Sequence, residues 1–257
     1  VTPSADGAVA GLAGRAADTP EEPWLFHPDG WDWRWRSWCQ VADQAARGAA
    51  EVLRAPAELR RVGCPDRLDP DAVAAVLAVV AAGRTAVPGG AGEVAFPACR
   101  SRLDRWRPEV LAPASSGGAV EVEDGETLTD ADLAAGAGSL AALLPEELGT
   151  RPGARPILCA APDLPLRARW TLLAWSVLHA AAWALEPDPD SFLGAVLWVR
   201  PTVVAVGPGG VDRLAAALGE RRNRRHHRLR AVVVAGERAP DAGVWQDLGV
   251  PLVSWRL

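Results

Sequence analysis

PILCAAPDLPLRARWTLLAWSVLHAAAWALEPDPDSFLGAVLWVRPTVVAV, residues 156–206, decides the fold class. Short apolar runs at 156–160, 182–185 and 202–206 alternate with segments of helical length at 166–180 and 190–199. Continuous apolar runs of this kind become strands when helices cover both faces of a sheet. A strand that returns through a helix runs parallel to its predecessor. The pattern continues with a helix over 211–218, a strand over 229–235, a short helix over 241–248 and a last strand over 250–255. The expected fold class is α/β, a mostly parallel doubly wound sheet flanked by helices.

Upstream, Trp24-Leu25-Phe26 leads into the turn His27-Pro28-Asp29-Gly30, and residues 31–35 then alternate Trp with Asp and Arg. Asp-Gly between such runs predicts a hairpin. Ser37 is placed to cap a long helix over 38–54, giving a small N-terminal β-hairpin plus helix unit. Asp69 and Pro70 open a helix over 71–82 that Gly83 closes. A strand is expected at 85–87, loop over 89–106 and a strand at 109–112. Thr129 and Asp132 form an acidic capping box for a helix reaching 144. The chain reads as a single domain over 1–257: a lead-in at 1–23, a first α/β part at 24–108 and a second at 109–257.

All 27 basic residues are Arg, because the sequence contains no Lys. Arg stays protonated and cannot serve as an amine nucleophile, so mechanisms that need a lysine are excluded for this chain alone. The net charge of −5 argues against nucleic acid or an anionic membrane as partner. The longest apolar stretch, 170–185, is interrupted by His179, so no membrane span is expected. No signal peptide is visible, and the four scattered cysteines, Cys39, Cys64, Cys99 and Cys159, suit a reducing, cytoplasmic setting without zinc.

Other motifs read more plainly. Five tryptophans lie between residues 24 and 38. They suit a hairpin packed on its own helix, a ring platform for a ligand, or a protein interface rich in Trp and Arg. Ser115-Ser116-Gly117-Gly118 follows an expected strand, where a backbone cradle for phosphate or an ordinary turn can form. Gly207–Gly210 opens a helix. Gly236 and Glu237 follow a strand, at the end of a sheet where α/β proteins place ligands. The basic run at 221–228 reads as a solvated loop, and His179 as a core residue.

Taken in order, these segments resemble the N-terminal domain of adenylate-forming enzymes, the superfamily of acyl-CoA synthetases, luciferases and peptide-synthetase adenylation domains. WDWRWRSWCQVADQAARGAAEVLR (31–54) is similar to an early aromatic strand and Ala-rich helix of that family. DAVAAVLAVVAAGRTAVP (71–88) resembles its helix–strand–Pro element, and EVLAPASSGG (109–118) falls where it has a strand and a phosphate loop. LTDADL (128–133) resembles the Leu-Thr-His-x-x-Leu that follows. ALEPDPDSFLGAVLWVRP (184–201) and LRAVVVAGE (229–237) resemble later units, the second lining the adenine pocket. The resemblance implies AMP binding, with ATP or AMP and Mg as cofactors and an acyl or aryl carboxylate as ligand. On it, Ser115, Ser116, Gly117 and Gly118 are the phosphate-loop residues, and Gly236 and Glu237 lie near the base.

The departures are specific. The family's phosphate loop runs on to Pro-Lys-Gly, but here it continues Gly117-Gly118-Ala119-Val120-Glu121, with acids where the Lys would be. Ala235 stands where the family has a second Gly before its Glu. Pro165-Leu166-Arg167-Ala168 lacks the family's His, and residues 253–257 end where its Tyr-Gly-x-Thr-Glu begins. The expectation is a truncated, degenerate, ligase-like pseudoenzyme that does not catalyse alone. The alternatives are acyl adenylation completed by a partner chain, and a Trp/Arg-rich interaction scaffold acting with a partner protein or as a homo-oligomer.

Overall fold

The apolar runs after residue 156 form neighbouring parallel strands of one sheet. They are β8 (Ile157–Ala160), β9 (Ala182–Leu185), β10 (Val203–Val206), β11 (Ala231–Ala235) and β12 (Leu252–Trp255), with every residue of β9, β10 and β11 buried. The structure is a computed structural model describing residues 7–30, 32–90, 92–96, 118–145, 148, 155–186, 188–219, 228–236 and 242–256.

The expected N-terminal hairpin and helix form, and the hairpin is also built into this sheet. Its strands, β1 (Pro23–Asp29) and β2 (Asp32–Ser37), extend the same sheet to the order β12-β11-β10-β8-β9-β1-β2. Leu25 pairs with Trp183 and Phe26 with Ala184, in parallel. The apolar Trp24 and Leu25 thereby cover an edge of β9 that would otherwise be open.

A second sheet contains β3 (Arg61–Cys64), β4 (Thr85–Pro88), β5 (Val94–Ala95), β6 (Ala119–Glu121) and β7 (Thr127–Thr129), in the order β5-β3-β4-β6-β7. Only β4 is visible in the sequence pattern, where it follows the capped helix and its closing Gly83; β3, β5, β6 and β7 carry no such flanking signal. One expected sheet is therefore two, each mostly parallel with one antiparallel hairpin at an edge. β1 and β2 join the later strands in the seven-stranded sheet, and β6 and β7 join the earlier strands in the five-stranded one. The strand expected at 109–112 lies outside the described residues.

The helices form where their caps and spacing direct. They are α1 (Ala8–Asp18), α2 (Trp38–Arg54), α3 (Pro70–Ala81), α4 (Asp130–Leu143), α5 (Leu166–Leu178), α6 (Phe192–Val199), α7 (Val211–Gly219) and α8 (Ala242–Leu248). Ser37 and Thr129 make complete capping boxes with Gln40 and Asp132, and Asp69 accepts from the N–H of Ala72 at 2.8 Å. Helix α3 packs on α2 and β4, and α1 packs on α2, α4 and α5. One continuous apolar core contains residues of both sheets. Among the described residues no helix is long and apolar enough to cross a membrane.

Candidate functional site

In the seven-stranded sheet the chain leaves β8 toward β9 and then returns to the other side of β8 as β10. The gap beyond the carboxyl ends of β8 and β10 is thus the point where strand order reverses, the usual ligand position in open α/β sheets. A recess of about 110 Å³ lies there, between Ala161–Asp163 after β8 and Val206, Gly210 and Arg213 after β10, with Asp190 and Phe192 closing it.

Gly236 ends β11 at the same edge. Its φ is +133° and its N–H donates to the carbonyl of Trp255 at 3.0 Å. A Cβ there would come 3.0 Å from Cγ of Pro208. Only glycine joins the ends of β10, β11 and β12 in this way. Trp255 in turn lines a larger groove of about 390 Å³ between β7, α4, α5 and the end of β12, with Glu126, Thr127, Asp132, Arg167 and Arg256 on its walls.

Gly118 directly precedes β6, where its carbonyl accepts from the N–H of Asp130 at 3.4 Å. A Cβ on Gly118 would lie 2.1 Å from the carbonyl oxygen of Val80, so close packing against α3 requires the glycine. Ser115, Ser116, Gly117 and Glu237 lie outside the described residues, as do most of the basic run (221–227) and Cys99. Of the expected site residues, Gly118 and Gly236 are therefore the two with a described environment, on different sheets.

The acidic stretch after Gly118 carries a role that its composition does not reveal. The carboxylate of Glu121 accepts from Arg61 Nε at 3.0 Å and from a terminal guanidinium nitrogen at 2.6 and 2.7 Å. Glu123 accepts from the backbone N–H groups of Leu166 and Arg167, the first residues of α5. Glu126 pairs with the Arg167 guanidinium. Helix α5 has Pro165 at its N-cap and no local side-chain cap, so Glu123 supplies the acceptor from a distance. The visible signal was a helix start without Ser, Thr, Asp or Asn; the sequence gives no hint of which residue answers it. Arg169 adds a further link from α5 to Asp66 at 3.2 Å, joining the two sheets.

The proton chemistry nearby is quiet. Cys39, Cys64 and Cys159 are free and buried, with burial pushing Cys64 up to about 12 and Cys159 higher, so they remain thiols. Burial likewise raises Glu186, just beyond β9, above the usual carboxylate range. Hydrogen bonds from Thr129 hold Asp132 low, with Arg167 contributing. His179 ends α5 stacked on Trp175, 5.4 Å between ring centroids, and burial lowers its pKa. Among the described residues no group of three His, Cys, Asp or Glu side chains is arranged to hold a metal.

The tryptophans divide. Trp24 and Trp38 are buried and stacked on each other, whereas Trp35 on β2 is 46% exposed and Trp198 on α6 is 64% exposed. Trp198 stacks on Trp33 with ring centroids 5.8 Å apart.

In sequence, no family model and no curated protein matches this chain. In structure it matches adenylate-forming enzymes over almost its whole length. The anthranilate CoA ligase AuaEII, solved with anthranoyl-AMP, superposes with a TM-score of 0.70 at 17% identity, covering 97% of this chain and 58% of the ligase. The nonribosomal peptide synthetase FmoA3 gives 0.73 at 17% identity, covering 97% of this chain and 31% of the synthetase. The N-terminal domain of FACL13 from Mycobacterium tuberculosis gives 0.69 at 14% identity, covering 97% and 75%. The likeness is one of fold: two mostly parallel sheets flanked by helices, the N-terminal domain architecture of adenylate-forming enzymes.

Proposed function

We propose that this chain is an AMP-binding, acyl-CoA synthetase-like domain that does not adenylate a carboxylate by itself, being non-catalytic or completed by a partner chain. One observation carries the proposal. Where the resemblance places a lysine near triphosphate, this chain has carboxylates, and each is built into the fold: Glu121 on Arg61, Glu123 on the start of α5, Glu126 on Arg167. Carboxylates committed to arginines and helix N–H groups supply none of the positive charge that a lysine would place against a triphosphate.

The nucleotide implied by the resemblance is ATP or AMP, with an acyl or aryl carboxylate beside it. The proposed contacts are Ser115, Ser116, Gly117 and Gly118 for phosphate, and Gly236 and Glu237 near the base. Mg requires open carboxylate oxygens or water-linked acids. The described acids of 121–126 do not fit that need, since arginines and helix N–H groups already engage them.

The test is carboxylate-dependent exchange of pyrophosphate into ATP by the purified chain, over a panel of acyl and aryl acids with Mg. No exchange above the protein-free control is expected. Exchange by the chain alone overturns the proposal. Exchange that appears only with a lysine-bearing second chain selects its partner-dependent form. A scaffolding role has its own support in the exposed Trp35 and Trp198.

A further inference from the structure

Strand β2 is the last strand of its sheet, and among the described residues no strand pairs with its outer edge. Long open edges are usually blunted, because their free N–H and C=O groups attract other strands. This edge reads Asp32-Trp33-Arg34-Trp35-Arg36, with both tryptophans on one face and the three charged residues on the other.

The hairpin's register fixes which backbone groups are free. Trp33 pairs with Pro28, which has no N–H, so this is a non-hydrogen-bonded pair of the hairpin. Antiparallel pairing alternates, so Trp33 and Trp35 direct their N–H and C=O groups away from β1, toward the open edge. Asp32, Arg34 and Arg36 use theirs within the hairpin.

We propose that the partner for this edge is a second copy of the same chain, pairing antiparallel about a two-fold axis through Arg34. A pair of identical strands must be self-complementary. With the axis at Arg34, Trp33 faces the partner's Trp35 as a hydrogen-bonded pair, and both free backbone positions of each strand are used. Asp32 then faces the partner's Arg36 in the closely spaced type of pair, opposite charge against opposite charge. The central Arg34 meets its own copy, but each is already held by Asp29 at 2.5 Å. On the aromatic face Trp198 lies on Trp33. An edge of one charge sign would repel its copy; Asp32 and Arg36, placed symmetrically about Arg34, attract it. The proposal is independent of whether the chain binds nucleotide.

Sedimentation velocity of the whole chain up to about 100 µM, at low and high salt, tests it. A concentration-dependent dimer that weakens with salt is expected. Asp32→Arg and Arg36→Asp should each weaken association by about tenfold or more, and the double exchange should restore it. Trp35→Pro removes an outward N–H while sparing the hairpin, so it should leave a folded monomer, with thermal unfolding confirming the fold. A monomer at every concentration overturns the proposal, as does a dimer indifferent to both single reversals. Failure of the folded double exchange to recover association overturns it as well.

Discussion

The indole rings of Trp24 and Trp38 stack 4.4 Å apart with their planes inclined by 16°, both fully buried. Trp24 belongs to β1 and Trp38 begins α2, so the stack fixes the long helix to the seven-stranded sheet. Trp24 Nε1 donates to Ser176 Oγ of α5 at 3.3 Å, and the Arg155 guanidinium lies 5.1 Å from the Trp38 ring. Truncating Trp24 to Ala should cost about 3–5 kcal/mol, read from the urea midpoint at unchanged slope.

Gly118→Ala should destabilise by about 1–3 kcal/mol, because the new methyl meets the Val80 carbonyl rather than a movable side chain. Denaturant unfolding checks it. Since the clash is with α3, the loss should appear without any nucleotide present.

Glu123→Ala should lower stability by about 0.5–2 kcal/mol, the usual effect of removing an N-terminal helix acceptor. Amide hydrogen exchange should quicken first at the start of α5. Unchanged protection there would show that the contact contributes nothing.

Burial raises the Glu186 pKa above its ordinary 4.5. The folded state therefore binds this proton more tightly than the unfolded state does. Its contribution to stability is full below about 4.5 and is lost as pH rises through the folded value. Glu186→Gln should then be more stable than the parent at pH 7, with the difference shrinking as pH falls toward 4.5. Thermal unfolding of both proteins across that range decides it.

Cys64 and Cys159 should react with a thiol reagent at pH 8 only as fast as the protein opens, because burial keeps both protonated. Stopped-flow labelling against the unfolding rate measures this. Rapid labelling of either cysteine would contradict its burial.

Local signals reached some of this structure. Ser37, Asp69 and Thr129 announce their helices because a cap is a contact three residues long, and α2 occupies the expected residues 38–54. The β8–β11 alternation is legible because strands covered on both faces must be apolar throughout. The pairing of Leu25 with Trp183 is not legible, since nothing local to either residue names the other. The same holds at the candidate site. The mark of Gly236 is its place after a strand, but the tie to Trp255 and the clash with Pro208 belong to three strand ends meeting. The acids after Gly118 look like plain repulsion in sequence, and their partners Arg61, Leu166 and Arg167 emerge only when the sheets come together.

The hairpin of β1 and β2 sits beside β9, a strand made far later. At a synthesis rate of about 5–20 residues per second, β1 waits on the order of ten seconds or more for that neighbour. During the delay Trp24 and Leu25 have only elements made before β9 to cover them, so this Trp-rich segment keeps apolar surface that its final neighbour will bury. A chaperone that binds extended apolar sequence at the ribosome would find its target here, and translation that outpaces docking of β1 would yield a protein correct in its later strands and unfinished at its first.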